Sequence, residues 1–227
     1  MRRGEVDELV RNYEQVIVDE CHHISAKSFE DVSRAVPARY VLGLTATPIR
    51  RDGQQAIIFM QCGPTRYRAA SRDTQPEHCA VVVQEVPAIT QAPADIPVHE
   101  LFRQLVEDPD RNDRIVADVV EAFEAGRHVL LLSERAGHVT QLASSLEGRV
   151  GSLFCLHGRM GRRQRAEQLA GLDRLSSDSP RVLIATGKLI GEGFDHPVLD
   201  TLVLAHPISW RGTLQQYAGR LHRDAGS

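Results

Sequence analysis

Val16-Ile17-Val18-Asp19-Glu20-Cys21-His22 is the stretch whose reading decides the fold. Three β-branched residues in a row predict a strand buried in a parallel sheet. Asp19 and Glu20 then fall at the carboxyl end of that strand, where open α/β sheets bind their ligands. A carboxylate there can hold Mg²⁺ beside a phosphate, and its neighbour can polarise an attacking water. A solvated acidic loop would carry the same two letters. Asp19, Cys21, His22 and His23 could also be read as a metal cluster, but adjacent residues on one turn rarely converge on a tetrahedral ion.

Outward from this stretch the chain keeps a βα rhythm. Gln15 to Asp19 is a predicted strand. Ser25 to Val36 is a predicted helix, capped by Ser25 and ended by Pro37. Tyr40 to Leu44 is a second strand, running into Thr45-Ala46-Thr47, and Val81 to Val86 a further one. The stretch VPAITQAPADIPV, with Pro87, Pro93 and Pro97, reads as an extended linker. Ile115, Val116, Val119, Val120 and Phe123 then form a helical stripe that Gly126 stops. Strands are expected at 128–132, 153–156, 181–185 and 201–205. Helices are expected at 137–146, 161–172 and 212–223. Alternating βα units predict an α/β fold with parallel sheets and helices on both faces.

Composition narrows the class. The 227 residues are 42% hydrophobic and 25% charged, ordinary for a globular protein. No apolar run reaches the roughly 18 residues a membrane span needs. The start, MRRGEVDELV, has no apolar stretch behind its arginines and does not read as a signal peptide. Cys21, Cys62, Cys79 and Cys155 lack C-x-x-C spacing, which predicts reduced thiols and a cytoplasmic location. A net charge of −3 argues against a purely electrostatic nucleic-acid binder. Arginines do cluster locally, at Arg159, Arg162, Arg163 and Arg165 and at Arg66, Arg68 and Arg72.

Three further motifs complete the pattern. Gly191-Glu192-Gly193-Phe194-Asp195 follows the strand RVLIA. Its glycines let backbone approach a ligand, and Asp195 can accept from a ribose hydroxyl or from the later stretch Gln216 to Arg223. Gln216-Tyr217-Ala218-Gly219-Arg220-Leu221-His222-Arg223 places Gln216, Arg220 and Arg223 on one helix face. Ser133, Arg135, His157 and Arg159 stand just after strands. In this order and spacing, DECH, TAT, GEGFD and QYAGRLHR resemble motifs II, III, V and VI of helicase superfamily 2. The wording GLTATPIRRDG and IIFMQCGP is most similar to bacterial and archaeal relatives of the XPB and type III restriction helicases. The resemblance runs from about residue 12 to about residue 223.

The resemblance implies two RecA-like parallel-sheet lobes, the first incomplete. Residues 1–86 would be the C-terminal part of the ATP-binding lobe, 87–98 the linker and 99–227 the second lobe. ATP and Mg²⁺ would be the cofactors. Asp19 would hold Mg²⁺ through water, and Glu20 would polarise the attacking water. Gly193 and Asp195 would face the nucleotide. Gln216, Arg220 and Arg223 would complete the hydrolytic site, the arginines as fingers on the γ-phosphate. His22, Thr45 and Thr47 would couple hydrolysis to lobe movement. Ser133, Arg135, His157, Arg159, Thr186 and Gly187 would contact nucleic acid, DNA rather than RNA.

One motif departs from the family. A P-loop, G-x-x-x-x-G-K-[ST], has no counterpart here. Lys27 and Lys188 are the two lysines. Lys27 follows Ala26; Lys188 follows Gly187 but precedes Leu189, and Val182 stands where the first glycine belongs. No backbone nest with a lysine cradles phosphate. The sequence therefore reads as a helicase piece truncated before motif II. Its partners would be nucleic acid and either a missing N-terminal part or a separate P-loop-bearing subunit, with no membrane. Two other readings stay open: a non-hydrolysing nucleic-acid-binding or regulatory subunit, and the motor piece of a restriction or defence system.

Overall fold

The computed structural model describes residues 12–21, 36–45, 55–69, 80–83, 96–191, 194, 196–208, 214, 217–219 and 221. The chain divides into two units, Met1–Gln75 and Pro76–Ser227. No helix among the described residues is long and apolar enough to cross a membrane.

The first unit holds β1 (Gln15–Val18) and β2 (Tyr40–Gly43), paired in parallel with Ile17 opposite Leu42 and Val18 opposite Gly43. Helix α1 (Gln55–Cys62) packs on one face of this pair. Val18, Cys21 and Ile58 form the small core there, flanked by Val16, Ile57 and Cys62. The expectation of a strand buried on both faces is corrected. Val18 is 7% exposed but Ile17 is 59% exposed, as is its neighbour across the pair, Leu42, at 44%. Side chains alternate along a strand, so a helix on one face buries only every second residue.

The second unit is a four-stranded parallel sheet in the order β4-β5-β3-β6. Its strands are β3 (His128–Ser133), β4 (Leu153–Leu156), β5 (Arg181–Thr186) and β6 (Thr201–Leu204). Around it lie α2 (Val98–Glu107), α3 (Pro109–Glu124), α4 (Ala136–Leu146), α5 (Arg162–Arg174) and the short α6 (Gly187–Gly191). Helix α3 starts where sequence chemistry dictates. The Asp108 carboxylate accepts from the Arg111 amide at 3.1 Å, Pro109 occupies the first turn, and Gly126 takes φ +81° just past the end. Both faces of the sheet are covered. Val129 and Leu131 of β3 join Val119, Val139 and Leu142 on one side; Leu130 and Leu132 join Leu156, Leu183 and Leu172 on the other. This is why β3 and β5 read as continuous apolar runs.

The strands expected at 128–132, 153–156, 181–185 and 201–205 and the helices expected at 137–146 and 161–172 appear within a residue or two of their predicted ends. Three helices, α1, α2 and the short α6, are additional. The strand expected at Val81–Val86 is corrected for its described part. Val81, Val82 and Val83 are exposed and belong to no strand, because no described strand lies beside them to complete a ladder. The predicted helix at 25–36 falls outside the described residues except for Val36, which is not helical. Of the helix expected at 212–223, Leu214, Tyr217 and Ala218 are helical, but Gly219 and Leu221 form a turn closed by the Leu221 amide on the Ala218 carbonyl at 2.9 Å, so the described part does not continue as one helix.

Candidate functional site

In the first unit, the backbone brings the two central motifs together. The Leu44 amide donates to the Val18 carbonyl at 2.8 Å, and the Cys21 amide donates to the Leu44 carbonyl at 2.9 Å. The acidic turn is thus tied to the residue preceding Thr45. Glu20 takes φ +49°, a left-handed conformation that a residue with a Cβ adopts only at a cost. The Asp19 carboxylate accepts from the Glu20 amide at 2.9 Å, which holds this turn. Asp19 is exposed at the carboxyl end of β1 and Glu20 is half-buried. Beneath the turn, Cys21 and Cys62 share a hydrogen bond, and burial pushes both thiols up from their ordinary value. His22 and Thr47 lie outside the described residues.

In the second unit, Ser133, Arg135, His157, Arg159, Thr186 and Gly187 all stand at or just beyond the carboxyl ends of β3, β4 and β5, three neighbouring strands. Ser133 and Thr186 are register partners. Arg159 is exposed. Arg135 opens α4 and donates from its guanidinium to the His99 carbonyl at 2.9 Å. The His157 amide lies 3.4 Å from the Met160 sulfur, while its ring Nδ1 is buried without a hydrogen-bond partner. Arg162, Arg163 and Arg165 are exposed on α5, and Arg163 pairs with Glu167 at 3.0 Å. Gly193, Asp195, Gln216, Arg220 and Arg223 lie outside the described residues.

Ser133 is 1% exposed, and its hydroxyl lies 2.9 Å from Nδ1 of the fully buried His138. His138 Nε2 lies 2.9 Å from Asn112 Oδ1, while Asn112 Nδ2 donates to the Val106 carbonyl at 2.7 Å. Asn112 therefore offers its oxygen to the ring. Nε2 carries the proton, and Nδ1 accepts the Ser133 hydroxyl. Burial lowers the His138 pKa to about 4, with the charges of Arg111, His206 and Arg135 adding to it. Arg111, itself buried, donates to the Leu105 and Ala205 carbonyls.

Three side chains that sequence reading missed meet at the same edge. The Tyr217 hydroxyl donates to Glu134 Oε1 at 3.2 Å, and His206 Nε2 lies 3.2 Å from that oxygen. The His206 hydrogen bond holds the Glu134 carboxyl below its ordinary range, Tyr217 contributing, while burial opposes them. Burial and the Glu134 charge push the Tyr217 phenol up. A Cβ on Gly187 would stand 2.0 Å from the Tyr217 oxygen and 2.6 Å from Glu134 Oε1. The available signal was position: Glu134 sits between Ser133 and Arg135, Tyr217 beside Gln216.

Known proteins match along this chain. The family described as helicase conserved C-terminal domain matches residues 112–225, and that described as type III restriction enzyme, res subunit, matches residues 3–50. A protein of Acanthamoeba polyphaga mimivirus named as an ATP-dependent RNA helicase is 23% identical over 96% of this chain and 42% of its own length. The DNA 3'-5' helicase XPB of Kineococcus radiotolerans is 31% identical over 62% of this chain and 26% of its own length. The S. cerevisiae Dbp5 structure bound to RNA and ADP BeF3 shares the fold, with a TM-score of 0.52 at 14% identity, over 91% of this chain and 49% of that one. The chain spans less than half the length of the curated relatives it matches nearly end to end.

Proposed function

The chain belongs to helicase superfamily 2, and on that premise we propose that it is the motor segment of an ATP-dependent helicase or translocase acting on double-stranded DNA. The observation that carries this reading is the gathering of Arg135, His157, Arg159, Thr186 and Gly187 at the carboxyl ends of three adjacent strands. Phosphate contacts position a nucleic-acid strand without reading its sequence. Amides, hydroxyls and guanidinium groups along one sheet edge suit that task. The lobe boundaries implied by the motifs, 1–86 and 99–227 about a linker at 87–98, form part of the proposal, as does a soluble cytoplasmic setting.

The residues present fit one cofactor better than the other. Asp19 offers an exposed hard carboxylate at the end of β1, which suits Mg²⁺ held through water. Glu20, in its left-handed conformation beside it, would orient water. When bound, the ion would neutralise phosphate charge. Nothing in the sequence cradles the phosphates: Lys188 is an exposed residue of α6 with no P-loop around it, and Lys27 has no glycine before it. The phosphate-holding half of an ATP site has to come from another stretch of polypeptide, joined or separate. In that assembly Gln216, Arg220 and Arg223 would face the nucleotide with Gly193 and Asp195, and His22, Thr45 and Thr47 would transmit the change. The missing cradle also favours a second reading, a nucleic-acid-binding or regulatory subunit that does not hydrolyse.

An ATPase assay separates the two. The isolated chain is expected to turn over ATP at background. Assembled with a polypeptide carrying the P-loop, it is expected to show DNA-stimulated turnover that Glu20→Gln abolishes. Turnover by the isolated chain that survives Glu20→Gln would overturn the motor reading. So would an assembly that DNA fails to stimulate.

A further inference from the structure

We propose that Tyr217 and Glu134 are positioning residues, a clasp that fixes the chain at Tyr217 to the carboxyl edge of β3 and so links the nucleotide-facing motif, to which Tyr217 belongs in sequence, to the nucleic-acid loop. The inference rests on the motor reading above but stands on its own geometry. Three adjacent strands contribute to it. Glu134 follows β3, Gly187 follows β5, and His206 follows β6.

One carboxylate oxygen of Glu134 receives both the Tyr217 hydroxyl and His206 Nε2, each at 3.2 Å. His206 is itself placed by its Nδ1, 3.3 Å from the Leu132 carbonyl. Tyr217 is only 4% exposed, and its ring packs in the core that includes Leu132, Leu183, Ala185 and Ile190. The ring is therefore anchored and the hydroxyl has one place to go. Gly187 has no side chain because that place is occupied: any Cβ would overlap the Tyr217 oxygen. Hydrogen bonds to a charged acceptor are stronger than neutral ones, and here a buried phenol reaches a carboxylate that stays half-exposed.

The connection it makes is specific. Glu134 lies between Ser133, the last residue of β3, and Arg135, which opens α4 and is proposed to meet nucleic acid. Tyr217 lies next to Gln216 and three residues before Arg220. A movement of one stretch is passed to the other through a single carboxylate. Loss of the clasp should then misplace groups needed in the transition state while leaving ground-state binding intact.

Hydrogen exchange on the intact chain tests the clasp directly. Tyr217→Phe and Glu134→Ala are expected to speed exchange about tenfold in peptides covering 133–136 and 214–221, with β5 unchanged. Glu134→Gln keeps an acceptor for the phenol and is expected to stay near wild type. Gly187→Ala is expected to act like Tyr217→Phe. Unchanged exchange in both Tyr217→Phe and Glu134→Ala overturns the clasp.

The assembly carrying the P-loop tests the positioning role. There Tyr217→Phe is expected to lower DNA-stimulated kcat about tenfold, with KM for ATP and Kd for duplex DNA changed less than about twofold. A wild-type assembly that DNA does not stimulate sinks the motor reading and leaves the clasp to the exchange result. A stimulated wild type with Tyr217→Phe and Glu134→Ala equally active sinks the positioning role.

Discussion

Acidifying the chain should expose the Ser133–His138–Asn112 network as a pH-dependent part of its stability. His138 is fully buried and neutral, with Nε2–H directed at Asn112 and Nδ1 accepting from Ser133. Its pKa falls from 6.5 to about 4. In the unfolded chain the same ring takes up a proton near its ordinary value. Between these two values the unfolded state binds more protons, so stability rises with pH and is lost as pH falls from about 6.5 toward 4. A displacement of this size corresponds to roughly 3 kcal/mol, a large share of the stability of a domain. The assay is urea unfolding of the chain at a series of pH values, with His138→Gln beside wild type. Glutamine retains one donor and one acceptor but does not titrate. The wild-type stability curve should slope between pH 6.5 and 4, and the variant should lose most of that slope. The midpoint offset at neutral pH reports the packing change separately. Parallel curves for the two proteins would refute the reasoning, because carboxylates elsewhere would then own the whole acid transition.

Gly43→Ala should destabilise the first unit by about 1–3 kcal/mol, since the new methyl has to displace packed atoms. It would stand 2.9 Å from both the Cys21 and Cys62 sulfurs. Denaturant unfolding checks this, and combining it with Cys62→Ala should recover part of the loss; fully additive effects would show that the sulfur clash is not the cause. On the second unit, Arg159→Ala with Arg162→Ala should weaken binding of duplex DNA without changing sequence preference. The slope of log affinity against log salt should shallow by about one to two, roughly one for each phosphate that is no longer neutralised. An identical slope for wild type and the double variant would return these arginines to solvent.

How much of this was legible in the sequence depends on distance along the chain. The strands of the second unit were readable because both faces of the sheet are covered, so HVLLLS, LFCL, RVLIAT and TLVL are nearly pure apolar runs. Helix α1, QAIIFMQC, hides for the same reason: an apolar run of this length looks like a strand until its packing on β2 is known. Helix α2 directly follows Pro97, at the end of the proline-rich stretch that masked its start. Val81 to Val83 make the opposite error, strand letters with no described strand beside them. Composition supplies propensity, and a ladder partner decides.

Site residues follow the same rule with a sharper consequence. What local order made legible is position alone: Asp19, Arg135 and His157 stand just past strand ends, and Thr186 is the last residue of β5. The contact between Tyr217 and Glu134 was not, because the two residues are 83 apart and Tyr217 reaches the end of β3 from a helical segment through tertiary packing alone. Ser133 shows what local order leaves undecided. Its position suggested a hydroxyl offered outward to phosphate, yet the side chain is buried with its proton directed at His138. Its oxygen also lies 3.4 Å from the Arg135 amide. The same serine therefore faces inward to a buried histidine and backward to the loop that carries Arg135. Its contribution to any phosphate contact runs through the placement of Arg135, and the neighbouring Glu134 ties that loop to Tyr217. Two consecutive residues, one facing the core network and one facing the motif beside Gln216, give the carboxyl end of β3 its importance, and no spacing along the chain could have announced either partner.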